Sequence, residues 1–158
     1  METAIIWIKE DGMEIYTMGF TKKSAEQFFE AIKDHRVRLV VDVRINNQSQ
    51  LAGFTKSRDL AYFLKQLCGC GYVHEPRFSA TKEMMDGFKS RTMSCETYQD
   101  VYYRRFLEND MAAVFRENYS VYEKVLFLCS EADPDTCHRK LLAEHLQREI
   151  PGIEVAHL

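Results

Sequence analysis

The amino-acid sequence predicts an α/β fold built on an open, mostly parallel sheet with helices on both faces, in three layers (α/β/α). Two observations support this prediction. Short β-branched runs alternate along the chain with segments whose apolar residues recur at helical spacing. The runs Val37–Val43 and Val125–Cys129 are almost continuously apolar, which is typical of parallel strands covered on both faces.

The first third of the chain predicts a hairpin, a helix and a buried strand. Ala4–Ile8 and Glu14–Met18 are β-rich, and Asp11-Gly12 lies between them, which favours an N-terminal β-hairpin. Ser24 and Gln27 have the spacing of a capping box and predict a helix that begins after Ser24. The strand predicted over Val37–Val43 follows that helix.

The middle of the chain predicts further helices around a short strand. Ser57 is a candidate N-cap of a second helix, Tyr72–His74 is a short strand, and Thr81 is a candidate N-cap of a third helix. A longer helix is predicted from Tyr98, with a break near Asn109-Asp110.

The last segment predicts a strand, a helix and a strand. Asp133-Pro134 after Val125–Cys129 is a preferred helix start, Pro151-Gly152 ends that helix, and the residues from Ile153 form a terminal strand. We expect Val37–Val43, Val125–Cys129 and Ile153–Val155 to be the central strands. The element order predicts one Rossmann-like α/β domain over residues 1–158.

Composition and charge limit the classes of function. The chain of 158 residues has a net charge of −3, which argues against a surface built to coat nucleic acid. Five cysteines cannot all pair, and an apolar run such as Val125–Cys129 is far short of the ~18 residues of a membrane span. We therefore expect a cytoplasmic protein with no membrane partner.

Ligands of open parallel sheets bind beyond the carboxyl ends of the strands, so the residues that follow each strand are candidates for the site. Gly19 and Thr21 follow the first predicted strand, and Asp42 and Arg44 close the second one. Strand alternation turns Asp42 and Arg44 to the same side of the sheet. The amide-rich loop from Ile45 to Lys56 then lies at this edge, either as a functional loop or as a variable surface loop.

The segment from Cys129 to Arg139 carries the densest set of reactive side chains. It joins a predicted buried strand to a predicted helix, and a helix N-terminus attracts anions. At 100° per residue from Cys137, Arg139 falls at about 200°, inside the apolar stripe of the helix. A buried cation there needs an anionic partner, which is Asp42, Glu131 or a bound ligand.

Cys129 and Cys137 have several possible roles. A thiolate at Cys137 would be stabilised by the helix N-terminus, and either cysteine could instead be a small buried apolar residue. Together with His138 they could ligate a metal, but their spacing is not that of a zinc-finger pair, so we predict no metal and no cofactor. The chain contains no dinucleotide fingerprint, phosphate-binding Gly-Lys-Ser/Thr loop, His-Glu-x-x-His motif or nucleophile elbow.

Three segments resemble the family called domain of unknown function 488. They are Tyr16–Ser24, Val41-Asp42-Val43-Arg44, and Cys129-Ser130-Glu131 with Cys137-His138-Arg139. The resemblance covers nearly the whole chain and implies a compact α/β domain without an agreed activity. It also implies that one pocket gathers the shared residues, which are Gly19, Asp42, Arg44, Cys129, Glu131, Cys137, His138 and Arg139. Many members of the family have His where this chain has Phe20.

Three hypotheses of function follow. In the first, the protein is an enzyme that acts on a phosphate-bearing or nucleotide-like small anion. Asp42 or Glu131 is then the acid or base and Cys129 or Cys137 the nucleophile, while Gly19, Thr21, Arg44, His138 and Arg139 bind the substrate. In the second, the protein is a nucleic-acid-binding or processing module in which Tyr98, Tyr102 and Tyr103 contact bases. In the third, it is a non-catalytic redox or structural domain that uses Cys129 and Cys137. The oligomeric state does not follow from the sequence.

Overall fold

A five-stranded sheet forms the centre of the fold. The computed structural model describes residues 12–47, 53–131 and 137–158. Its strands are β1 (Met13–Gly19), β2 (Leu39–Asp42), β3 (Gly71–His74), β4 (Lys124–Cys129) and β5 (Ile153–His157). They lie in the order β3-β2-β4-β1-β5, and every neighbouring pair is parallel. The predicted open parallel α/β fold is confirmed.

Helices cover both faces of this sheet. They are α1 (Ala25–Asp34), α2 (Ser57–Phe63), α3 (Lys82–Lys89), α4 (Cys95–Glu108), α5 (Met111–Tyr119) and α6 (His138–Glu149). Buried side chains of α1 and α2 pack on one face of the sheet, and those of α3 to α6 pack on the other. The alternation of β2 directs Val40 to the first face and Val41 to the second.

β1 occupies a central position in the sheet. It pairs with β4 on one edge and with β5 on the other, both in parallel. The second strand of the predicted hairpin, Glu14–Met18, is confirmed within β1, whereas Ala4–Ile8 lies outside the described residues. Both partners of β1 are therefore strands from the last third of the chain.

The predicted position of the C-terminal strand is wrong. Ile153–Val155 was expected at the centre, but β5 is an edge strand with Glu154 and Ala156 exposed. Its alternation of buried and exposed residues is typical of a strand covered on one face. A short apolar run does not reveal how many neighbours a strand has, since strand order depends on contacts with distant segments.

Local capping signals place several helix starts correctly. Ser24 caps α1 in a capping box with Gln27, and Thr81 accepts a hydrogen bond from the backbone N–H of Met84 at the start of α3. The prediction that Ser57 is an N-cap is off by one residue, because Lys56 occupies that position.

The predicted start of the last helix is also wrong. α6 begins at His138, and its N-cap, Cys137, has extended backbone angles (φ −131°, ψ 141°), so a helix from Pro134 does not continue through it. Asp133 and Pro134 themselves lie outside the described residues. The later start places Arg139 in the first turn of α6, closer to the positive end of the helix.

The parallel arrangement brings the carboxyl ends of three adjacent strands together. Gly19 at the end of β1 is in register with Cys129 at the end of β4, and Asp42 at the end of β2 is in register with Leu128. In the described part of the chain, every helix is too short or too polar to cross a membrane.

Candidate functional site

A cavity of about 630 Å³ opens at the carboxyl edge of the sheet, and we call it the edge cavity. Six of the nine residues predicted for the site line it: Thr21, Arg44, Cys129, Glu131, Cys137 and His138. Gly19, Asp42 and Arg139 do not line it. Chain segments that are far apart in the sequence thus meet in one place, as expected for the ligand edge of a parallel sheet.

Cys129, Cys137 and His138 form a compact cluster in the wall of the edge cavity. Cys129 ends β4, Cys137 caps α6 and His138 is its first residue, and all three are buried. The two sulfur atoms and a ring nitrogen of His138 all lie within 4.8 Å of one another. The cluster is positioned by a strand and a helix.

A backbone contact sets the orientation of the His138 ring. Its Nε2 lies 3.1 Å from the carbonyl oxygen of Val43, which can only accept, so Nε2 carries the proton of the neutral ring. Nδ1 is then an acceptor, and it lies 3.8 Å from the sulfur of Cys137. Tyr102 packs against the ring, with the two centroids 5.6 Å apart.

The pKa values of the two thiols in the cluster are shifted in opposite directions. Burial raises the pKa of Cys137, but a hydrogen bond from Cys129 and the positive charge of Arg139 outweigh it, so the pKa lies below the ordinary value for cysteine. Donation of that hydrogen bond, together with burial, raises the pKa of Cys129 well above the ordinary value. Of the two, Cys137 is the thiol that ionises first.

Arg139 is fully buried, as predicted from its position in the apolar stripe. Its Nη1 donates a hydrogen bond to the backbone carbonyl of Glu131. Its positive charge helps to lower the pKa of Cys137. The pKa of Lys23 is also lowered, mainly by burial and to a lesser extent by repulsion from Arg139. Arg139 therefore lies behind the cluster and supplies positive potential there.

Asp42 and Arg44 bind each other, an arrangement that the sequence analysis did not predict. The carboxylate of Asp42 accepts from Nε of Arg44 at 2.8 Å and from Nη2 at 2.7 Å, and both side chains are buried. Tyr72 donates a third hydrogen bond to this carboxylate at 2.7 Å. Arg44 also donates to the hydroxyl and the carbonyl of Thr55. These contacts fix the carboxyl end of β2. Asp42 itself does not line the edge cavity.

The remaining predicted residues lie around the mouth of the edge cavity. Thr21 is exposed and donates its hydroxyl proton to the backbone carbonyl of Ser130, which ties the end of β1 to the end of β4. The side chain of Glu131 is exposed at the cavity. Gly19 is buried at the end of β1.

The structure adds residues that the sequence analysis missed. Met85, Phe88 and Lys89 of α3 line the edge cavity opposite the carboxyl ends of the strands. The sequence predicts the helix that carries these three residues but not its position beside the cavity. That position depends on packing between distant segments of the chain. Tyr98 and Tyr102, which were considered for base contacts, are buried, whereas Tyr103 is 42% exposed.

Among the described residues, the cluster of Cys129, Cys137 and His138 has ligand atoms close enough together to hold a metal ion. Two sulfurs and one imidazole suit a thiophilic cation such as Zn²⁺ and leave a fourth position open. The buried positive charge of Arg139 beside Cys137 opposes a divalent cation at this place. The arrangement fits a reactive thiol better than a metal centre.

Comparison with known families agrees with the resemblance of the three segments. The family described as Domain of unknown function DUF488 matches residues 24–146, which is more than half of the chain. The chain belongs to this family. Within the DUF488 match lie the Asp42–Arg44 pair, Cys129, Cys137 and His138. No curated protein and no solved structure matches the chain significantly.

Proposed function

We propose that this DUF488 protein is an enzyme that acts on an anionic small molecule, phosphate-bearing or nucleotide-like, at the carboxyl edge of the sheet. The observation that carries the proposal is the buried Cys137 thiol, which lines the edge cavity, lies 3.8 Å from Nδ1 of His138 and lies within 4.8 Å of the sulfur of Cys129. A thiol beside a base at a helix N-terminus is the arrangement of a cysteine nucleophile.

Positive charge near the edge cavity supports an anionic substrate. The first turn of α6 presents backbone N–H groups that have no acceptor within the helix. Lys89 lines the cavity, and Arg139 lies buried in the same first turn. The pKa of Lys23 is lowered by burial and by repulsion from Arg139, and a bound anion would relieve that repulsion. The cavity volume of about 630 Å³ fits a small organic ligand.

Each residue of the site then has a role. Cys137 attacks an electrophilic atom of the substrate, and Nδ1 of His138 accepts a proton and returns it to the leaving group. Glu131 can serve as a second acid or base because its side chain is exposed at the cavity. Asp42 and Arg44 are positioning residues, since they hold the end of β2 whose Val43 carbonyl orients His138.

Alkylation of cysteine by a charged and a neutral reagent tests this proposal. Iodoacetate is an anion and iodoacetamide is neutral, so the ratio of their rates reports the positive potential at a thiol. Cys95 is an internal reference because it is an exposed thiol that also begins a helix. We expect the ratio at Cys137, followed by mass spectrometry of peptides, to exceed that at Cys95 about tenfold, which corresponds to ~1.4 kcal/mol.

Competition by a ligand completes the experiment. Inorganic phosphate or a nucleoside monophosphate should slow the alkylation of Cys137 and leave that of Cys95 unchanged. A Cys137→Ser variant should lose the fast reaction with iodoacetate and keep the reaction at Cys95. Equal ratios at the two thiols, together with no protection by either anion, would contradict the proposal.

A further inference from the structure

We infer that Cys129 is the resolving thiol for Cys137, and that the anionic substrate of the edge cavity is a small disulfide whose phosphate or other acidic groups occupy the anion-binding part of the site. The inference rests on the proposed nucleophile at Cys137 and names what that nucleophile attacks. It explains why the wall of the cavity contains a second thiol within 4.8 Å of the first.

The placement of the two thiols is the first step of the argument. Both line the edge cavity, and their sulfur atoms lie within 4.8 Å of each other. None of the other three cysteines lines the edge cavity: Cys68 and Cys70 follow α2 on the opposite face of the sheet. Cys95 begins α4 and lines a neighbouring cavity of about 430 Å³ that Cys137 also lines. A hydrolytic thiol enzyme resolves its intermediate with water, so a second thiol at the nucleophile points to disulfide exchange.

The surroundings of the two thiols determine which one attacks the substrate and which one attacks the mixed disulfide. The partner hydrogen bond and Arg139 favour the thiolate of Cys137, so this sulfur attacks first. Cys129 stays protonated until the first step is complete, because the neighbouring Cys137 and burial both raise its pKa. A ring nitrogen of His138 lies within 4.8 Å of both sulfurs and can take the proton of Cys129.

The reaction then proceeds in two exchanges. The Cys137 thiolate attacks one sulfur of the disulfide RSSR, the S–S bond breaks, and RS⁻ leaves. His138 takes the proton from Cys129, whose thiolate attacks the sulfur of Cys137 and expels the second RS⁻, and this anion receives the proton from His138. RSSR gains two electrons, and the cysteine pair becomes a disulfide. A low-molecular-weight thiol resets the pair by the reverse exchange.

The test uses 5,5′-dithiobis(2-nitrobenzoate), an anionic aromatic disulfide whose released thiolate is coloured. Cys68 and Cys95 are replaced by Ser so that thiols outside the site do not contribute. One equivalent of reagent should release two thiolates and leave a Cys129–Cys137 disulfide in the peptide map. A Cys129→Ser or Cys129→Ala variant should release one thiolate and retain the other as a mixed disulfide on Cys137.

Cys70→Ser is the matched control, because Cys70 is a buried cysteine remote from the site, with a pKa raised by burial to about 12. It should behave as the parent protein. The inference is overturned if the parent retains the mixed disulfide, or if Cys129→Ser and Cys129→Ala still release two thiolates. If Cys137 is alkylated rapidly by iodoacetate but forms no disulfide with Cys129, the inference fails and the proposed function stands; an unreactive Cys137 removes both.

Discussion

The buried pair Asp42–Arg44 provides the strongest test of how the edge of the sheet is held. Replacing Arg44 by Met keeps much of the aliphatic stem and removes the guanidinium. The change takes two hydrogen bonds, at 2.7 and 2.8 Å, away from a carboxylate with no solvent exposure. Breaking a buried ion pair from one side costs about 3–5 kcal/mol, since the remaining charge is left without its counter-ion.

A second pair in the same protein is a matched control. Glu75 and Arg77 have the same spacing after the neighbouring strand β3, with Nε of Arg77 2.7 Å from the carboxylate. The side chain of Arg77 is 55% exposed, so water can replace its guanidinium. The Glu75 carboxylate is buried and also accepts a hydrogen bond from Tyr119, so we expect Arg77→Met to cost about 1–3 kcal/mol, less than Arg44→Met.

Urea unfolding of the two variants, of Asp42→Asn, and of the double variant Asp42→Asn with Arg44→Met measures the difference. The double variant should recover part of the loss caused by Arg44→Met, because it removes the stranded carboxylate. Its melting temperature should rise by roughly 2–4 °C for each kcal/mol recovered. The reasoning is refuted if Arg44→Met is no more destabilising than Arg77→Met, or if the two changes at the buried pair are additive.

Two further predictions concern ionisation. Arg139→Leu should move the pH profile of Cys137 alkylation to higher pH because it removes a charge that lowers this pKa, whereas Arg139→Lys should move it less. An unchanged profile in Arg139→Leu would contradict this. Burial lowers the pKa of His145, whose ring lies 4.7 Å from Tyr103 between centroids. Because the unfolded state then binds more protons, stability should fall as pH drops below about 6.5. His145→Phe should lack this component in urea unfolding at pH 7.5 and 5.0, and a constant difference from wild type would contradict the argument.

Much of the fold could be predicted from local patterns. Hydrophobic periodicity located β2, β4 and the helices, and the capping box at Ser24 placed the start of α1. These signals are readable because they depend on side chains and backbone groups only a few residues apart. The cluster of Cys129, Cys137 and His138 was also predictable in outline, since the chain returns to the same edge at the end of a strand and the start of the following helix.

Other features depend on partners that are distant in the sequence. The edge position of β5, the pairing of Asp42 with Arg44 and the approach of α3 to the cavity are examples. The buried Arg139 donates a hydrogen bond to a backbone carbonyl, and the carboxylate or anion that was expected to bind it stays a prediction.

The sequence by itself determined the alternation of strands and helices, the caps and the reactive side chains at the strand ends, because these follow from short-range geometry. Only the tertiary structure decided how close the thiols of Cys129 and Cys137 lie to each other and which ring nitrogen of His138 faces Cys137. The reason is that such contacts arise when β2, β4 and α6 pack together, and the protonation of a buried group depends on every charge and hydrogen bond around it.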